Sequence, residues 1–293
     1  MQPASTQAPI IPRNVDFELA DHVTYDWHGA GPGVSNMFNA GSLTFPEGEQ
    51  FFVDAARDCL PLCTDEALRK QVRAFMTQEA IHSREHRVYN EMLKKSGIKT
   101  GLINARIRFG RKWANRYVPA KWRLAMTVSS EHWTAILASH VLKNRTELLT
   151  GAEPVMQAIW LWHAVEETEH KAVCFDLLKS VCRTPLEFYA LRCITHAVNG
   201  VSFLAGAHFL YFRLSQQTGN GRNWKAHRQM LSFHWGKVGA FRKLVPAYLA
   251  FFKPGFHPWD DDNRAYVAQW DKAAPDLSHP PHNLLAAGFG AAD

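Results

Sequence analysis

The sequence has few cysteines and lacks the marks of several large protein classes. Its 293 residues include five cysteines, and only Cys59 and Cys63 lie close together, without the companion cysteines or histidines of a zinc finger. The first residues, MQPASTQAPIIPRNVDF, show no basic start followed by an apolar run, so no secretory signal is visible. We therefore expect reduced thiols and a cytoplasmic protein.

A strong excess of charge of one sign is also missing, because the net charge is only +6. Basic residues concentrate in residues 104–123 (NARIRFGRKWANRYVPAKWR), without the aromatic-interleaved patches of a nucleic-acid binder. We predict no nucleic-acid partner. The favoured interpretation of this segment is a solvated connection between helices, and the alternative is contact with anionic lipid or an acidic substrate.

Strand-like alternation is almost absent, and a helical period of apolar residues dominates the chain. The pattern predicts an all-α protein: a ferritin-like four-helix bundle with two additional C-terminal helices and an irregular tail. We expect a flexible N-terminal arm (1–33), a single helical metal-binding domain (34–270) and an irregular tail (271–293). Long helices are predicted at about 34–59, 64–95, 120–144, 153–181, 186–216 and 224–252, with a short basic helix or loop at 100–120. Pro46 and Gly48 are expected to introduce a kink or a break near Glu49.

Residues 193–212 contain no Asp, Glu, Lys or Arg and are just long enough to span a bilayer. Against a membrane span, the segment includes His196, Asn199 and His208 and is diluted by glycine and serine. A buried or partner-facing helix is favoured, and peripheral membrane contact is the alternative.

Two Glu-x-x-His motifs are the most informative feature of the chain. Positions three apart share one helix face, so each motif can direct a carboxylate and an imidazole at one point. The pairs are Glu79 with His82 and Glu167 with His170, and both pairs follow the apolar stripe of their helix. Two further glutamates occupy core positions of other predicted helices. They are Glu49, which is preferred over Glu47, and Glu131.

Four carboxylates in a helical core would need compensating cations, because burying unpaired charge is very costly. The set Glu49, Glu79, His82, Glu131, Glu167 and His170 matches the ligands of di-iron carboxylate bundles. Oxygen and nitrogen ligands favour iron, with manganese as the other candidate. Each of His86 and His163 lies four residues from a proposed ligand. The favoured role for both is to hydrogen-bond the ligands and fix their orientation without binding the metal. A seventh, histidine ligand is the alternative.

The chain also resembles a known bacterial family. The blocks SLTFPEGEQFFVDAA (42–56), QEAIHSREH (78–86), SEHWT (130–134), HAVEETEHK (163–171) and KPGFHPWD (253–260) are similar to those of the predicted metal-dependent hydrolases. The resemblance spans about 40–270 and implies metal binding by the same six residues, in a pattern similar to the ferritin-like di-iron superfamily. The FHPW element, with His257, has no counterpart in that superfamily and is expected to close one end of the bundle.

The function predicted from the sequence is a non-haem dimetal enzyme. Dioxygen-dependent oxidation of a lipid-like or aromatic small molecule is favoured, and hydrolysis by a metal-activated water is a close alternative. A third possibility is a non-catalytic iron-binding protein, but the roughly one hundred residues after the fourth predicted helix favour a substrate pocket or lid. An electron-donor protein and a homodimer are the expected partners.

Overall fold

The computed structural model describes residues 9–17, 19 and 23–273, and this part of the chain is helical with no strand. The prediction of an all-α protein is confirmed. The helices are α1 (Pro32–Cys59), α2 (Glu66–Lys95), α3 (Gly101–Tyr117), α4 (Ala120–Lys143), α5 (Arg145–Leu149), α6 (Pro154–His170), α7 (Val173–Val181), α8 (Pro185–Gln217), α9 (Trp224–Trp235), α10 (Val245–Ala250) and α11 (Arg264–Ala273).

Helices α1, α2, α4 and α6 surround one interior. Helix α1 packs along α2 and α4, α4 packs along α6, and α7 follows α6 against α2 and α4. Each of the four helices contributes buried polar residues to this interior. The ferritin-like character of the arrangement stays a prediction.

Helix α1 continues through Pro46, so a break near Glu49 is wrong, and a kink there stays a prediction. A proline lacks an N–H and leaves the carbonyl four residues earlier without its helical donor. Here Asn90 of α2 supplies that donor, since its Nδ2 lies 3.1 Å from the Ser42 carbonyl oxygen. The Ser83 hydroxyl also donates to the Pro46 carbonyl at 3.0 Å. Side chains of α2 therefore fix the middle of α1, just before Glu49.

Two predicted helices are each divided in the structure. The helix expected at 153–181 is interrupted by a turn at 171–172 that separates α6 from α7. The helix expected at 224–252 ends at Trp235. The segment that follows needs glycine at two positions: a Cβ on Gly236 would lie 2.4 Å from the Ser232 carbonyl oxygen, and Gly239 has a positive φ of 67°. A 3-10 turn and α10 then cover 242–250.

The described residues before α1 lie against the bundle. Arg13, Val15, Phe17 and Trp27 are all buried. At the other end, α11 continues to Ala273, past the predicted start of the tail. Residues 1–8, 18, 20–22 and 274–293 lie outside the described residues, and the predicted division into arm, domain and tail stays a prediction.

Helices α3 and α8 have large exposed apolar side chains. Helix α8 is the one described helix that is long and apolar enough to cross a membrane, judged by length and composition alone, and only 22% of that apolar window is buried. Burial of 193–212 on all sides is therefore wrong, whereas a partner-facing helix and peripheral membrane contact both stay predictions. The basic 104–123 segment forms α3 and the start of α4, and Arg108 and Arg111 of α3 form ion pairs with Glu47 of α1 at 3.0 and 2.9 Å.

Candidate metal centre

The two Glu-x-x-His motifs meet in the interior. Glu79 and His82 of α2 and Glu167 and His170 of α6 are all buried, and one ligand atom from each lies within 4.8 Å of the others. The Nε2 atom of His170 is 3.2 Å from Oε1 of Glu79. This convergence follows from the three-residue spacing, which places both polar atoms of each motif on the inner face of its helix.

The remaining two predicted residues join the same cluster. Glu49 of α1 is buried and groups with His82 and His163 within 4.8 Å. Glu131 of α4 lies 2.9 Å from Nδ1 of His170 through its Oε2 atom. Glu47, two residues before Glu49, instead lies on the outer side of α1 in its ion pairs with α3. All six residues predicted from the sequence are thus brought together.

The two additional histidines have different positions. Nε2 of His163 is 2.9 Å from Oε1 of Glu167, so this imidazole borders the cluster directly. His86 is one step further out, because its Nε2 lies 2.8 Å from Nδ1 of His163 and its Nδ1 lies 2.9 Å from the Ser42 hydroxyl. The geometry therefore places His163 among the candidate ligands and His86 behind it.

Many polar atoms of the cluster have no hydrogen-bond partner within the described protein, although they are buried. Such atoms are rare in native proteins, and an ion is one of the standard explanations. The atoms are both carboxylate oxygens of Glu49, both of Glu79, Oε1 of Glu131, Nδ1 of His82 and Nε2 of His170. All are oxygen or imidazole nitrogen, which are the ligands of iron and manganese sites. The residues present thus fit a pair of metal ions.

Electrostatics lead to the same conclusion. Burial raises the pKa of Glu49 and Glu79 well above the usual range, with a further rise from the neighbouring carboxylates Glu167 and Glu131 respectively. Burial also raises the pKa of Glu131 to about 7. Burial alone would lower the pKa of His170, but Glu131 and Glu167 raise it to about 9. Without metal, a charged imidazole is the local counterion, and bound cations would replace it.

Behind His82 lies a buried ionic group that sequence reasoning missed. Nε2 of His82 is 2.9 Å from Glu166, and Arg13 reaches Glu166 at 3.3 Å and Glu169 at 2.6 Å. Glu166 and Glu169 are both buried against the N-terminal segment, where they accept hydrogen bonds from the backbone N–H groups of Arg13 and Ile11 respectively. The apolar residues on every side of α6, in WLWHAV, were the available signal that this helix has no solvent face.

An apolar cavity of about 530 Å³ ends at the cluster. Its inner wall includes His163, Glu167 and Thr134, whose hydroxyl donates a hydrogen bond to Oε2 of Glu167. The rest of the wall is formed mainly by apolar side chains of α1, α3, α4, α6, α8 and α9. The size is that of a typical small-molecule site, roughly 300–1,000 Å³. A molecule in this cavity could reach the edge of the metal cluster.

The FHPW element packs beside α7. His257 caps its own 3-10 turn and places Nε2 3.3 Å from Asp176, and Trp259 lies over the Lys171 ammonium at 4.1 Å. Lys171 also donates to Asn263 at 2.7 Å. The element thus holds the turn that immediately follows His170.

Helices that enclose four buried carboxylates and three imidazoles define an all-α protein with a candidate dinuclear metal centre. The chain belongs to the family of predicted metal-dependent hydrolases, whose family model matches residues 11–262. The resemblance seen in the sequence motifs is therefore confirmed. No curated protein and no solved structure matches the chain.

Proposed function

We propose that this protein is an enzyme whose Glu/His cluster holds two iron ions and uses dioxygen to oxidise an apolar small molecule. The observation that carries the proposal is the apolar cavity, which ends at Glu167 and His163 of the cluster. When bound, two iron ions in such a site would supply the reduction of dioxygen, with electrons from a separate donor protein. Because the Glu/His cluster is similar to the ligand set of ferritin-like di-iron proteins, we also propose that the chain belongs to that superfamily.

The candidate ligands form two groups that would hold one ion each. Glu49 and His163 lie on the side of His82, and Glu131 lies on the side of His170. The Oε1 atom of Glu79 is 3.9 Å from Nδ1 of His82 and 3.2 Å from Nε2 of His170. The Oε1 atom of Glu167 is likewise 3.9 and 4.0 Å from these nitrogens. We infer that Glu79 and Glu167 would be within reach of either ion and that His163 would be a seventh residue that helps to hold them.

The protein's own residues have three tasks in this reaction. The apolar walls exclude water from the substrate and hold it beside Glu167. Thr134 fixes the carboxylate of Glu167 through its hydrogen bond. Burial, together with Glu131 and Glu79, raises the pKa of the nearby Cys174 thiol well above its usual range, so in the metal-free protein this neutral thiol adds no negative charge to the cluster.

Hydrolysis is the second candidate, favoured by the description of the family. In that case two redox-inert ions would supply a bound water of lowered pKa for attack on an ester, amide or phosphate. The same glutamates and histidines would hold the ions. The two candidates differ in the metal that supports turnover and in the need for dioxygen.

Dioxygen consumption separates these functions. We expect protein loaded with iron(II) to consume dioxygen in an oxygen electrode, whereas metal-free and zinc-loaded protein should consume none. Ester and phosphate substrates should be tested in parallel with manganese- and zinc-loaded protein. Hydrolysis by those forms, without dioxygen uptake by the iron form, would reject the oxidative function. Many irons per chain without turnover would instead indicate storage.

A further inference from the structure

The cavity runs from solvent to the metal cluster between α3 and α8. Its outer end is formed by exposed side chains, since Leu102 of α3 is 79% and Phe209 of α8 is 54% exposed. Its inner end is formed by buried ones, including His163 and Glu167. A ligand that fills the cavity must therefore have one end near water and the other end in an apolar interior.

The outer end carries positive charge. Arg106 of α3 and Arg213 of α8 line the cavity and are exposed. Among the described residues neither forms an ion pair, and Arg213 has only Gln216 as a hydrogen-bond partner, at 3.3 Å. Arg108 and Arg111 of α3, by contrast, are neutralised by Glu47. The arginines that border the cavity are thus the ones left available for a ligand.

No negative charge accompanies these two arginines along the cavity wall. The one carboxylate of the wall is Glu167, at the opposite, buried end beside the metal cluster. The rest of the wall consists mainly of apolar side chains such as Phe45, Leu137 and Phe203, and Phe45 packs on His163 with ring centroids 5.0 Å apart. From the entrance inward, the cavity wall therefore changes from positively charged to apolar. A single-chain amphiphile with an anionic head matches this order, since it changes from a charged head to an apolar chain.

We propose that the cavity binds a single-chain amphiphile with an anionic head, such as a long-chain carboxylate. Arg106 and Arg213 bind the head at the entrance, and the chain runs along the apolar wall toward His163 and Glu167. This inference rests on the proposed function, because the bound chain would be the substrate of the metal centre. The binding itself needs neither metal nor dioxygen.

Chain length and head charge give separate predictions for affinity. Each buried methylene should strengthen binding about fourfold, until the chain reaches the end of the cavity. The anionic head should add at least about tenfold over an alcohol of the same length, because charge-assisted hydrogen bonds from arginine are the strong ones. An alkyl trimethylammonium ion of the same length should bind more weakly than the alcohol.

The experiment is calorimetric titration of the metal-free protein with decanoate, dodecanoate and tetradecanoate, and with the matching alcohols and trimethylammonium ions. Arg106→Gln and Arg213→Gln should each weaken carboxylate binding about tenfold and leave alcohol binding unchanged. Arg116→Gln is the matched control, because Arg116 lies on α3 but does not line the cavity. Its affinities should equal those of the unmodified protein.

A second variant tests the path of the chain. Gly206 lines the cavity, and a Cβ there meets nothing within 4 Å, so Gly206→Leu can extend into the cavity without a clash at its Cβ. This variant should keep binding of short carboxylates and lose the gain from the longest chain. Absence of binding, equal affinity for acid and alcohol, or no effect of the arginine variants would overturn the proposal.

The outcomes are independent of the proposed oxidation. Binding without dioxygen chemistry would reject the function and keep the ligand class, and dioxygen uptake without amphiphile binding would do the reverse. The source of the amphiphile is tested with phosphatidylcholine vesicles that contain phosphatidylglycerol. Sedimentation of the protein with these vesicles would identify a bilayer source, consistent with the exposed Phe109 and Trp113 of α3. Binding of decanoate without sedimentation would identify the free acid.

Discussion

Replacing Glu79 with glutamine is expected to remove at least one of the two metal ions and to lower dioxygen consumption more than about a hundredfold. Loss of an outer partner of a ligand already costs about 10–100-fold in metal affinity or activity, and Glu79 lies between both histidines. Glutamine keeps the volume but not the charge. Metal content measured by mass spectrometry and dioxygen uptake are the two measurements.

The same variant should not unfold the protein. Burial raises the pKa of Glu79 well above the usual range, so a neutral amide suits the metal-free interior at least as well as a carboxyl group. The metal-free melting temperature should therefore stay equal or rise. Glu91→Gln is the matched control on α2, because Glu91 is exposed and pairs only with Lys94 at 3.1 Å among the described residues. Full metal content in Glu79→Gln would show that Glu79 is not a ligand.

Replacing Arg13 with methionine is expected to lower the free energy of unfolding by about 3–5 kcal/mol, because it leaves buried carboxylates without their partner. Arg13 holds Glu166 and Glu169, and all three side chains are almost fully buried. Metal affinity should also fall about tenfold, since Glu166 orients His82. Urea unfolding and metal competition measure the two effects.

Two variants separate the buried charge from simple loss of the N-terminal contact. Asn14→Ala is the control, because Asn14 also joins the N-terminal segment to α2, by accepting a hydrogen bond from Arg84 at 2.6 Å, but is exposed. A hydrogen bond of this kind is worth roughly 0.5–1.5 kcal/mol. Adding Glu169→Gln to Arg13→Met should restore part of the lost stability. Equal losses in Arg13→Met and Asn14→Ala would contradict the account.

The inward residues of the site could be predicted because helix geometry alone fixes which side chains share a face. Glu79 and His82, or Glu167 and His170, cannot be separated without breaking their helix. The same logic selected Glu49 over Glu47, and the structure places Glu49 inside and Glu47 outside. Periodicity predicts the inner face well when the opposite face is polar.

The parts that could not be predicted depend on contacts between distant segments. The turn after His170 leaves the apolar stripe in register on both sides, so no periodic signal reveals it. Arg13 reaches Glu166 across more than 150 positions, and its neighbours in sequence do not indicate burial. The cavity likewise forms between α3 and α8, neither of which carries a predicted ligand.

Metal binding is expected to weaken as the pH falls, and the protonation of Glu131 determines this direction. Burial raises its pKa to about 7, so below that pH the carboxyl group holds a proton that must leave when the carboxylate binds a cation. Burial opposes the charged form of His170, but Glu131 and Glu167 raise its pKa to about 9. At neutral pH His170 therefore also holds a proton that must leave when the imidazole binds a cation. Each proton released lowers the apparent affinity about tenfold per pH unit below the pKa.

Anaerobic titration of metal-free protein with iron(II), followed by anomalous diffraction at the iron edge, measures the number and the place of the ions together. Two ions per chain are expected, one beside His82 and one beside His170, with weaker binding at lower pH. Fewer than two ions, or two ions bound away from the Glu/His cluster, would contradict the dinuclear centre.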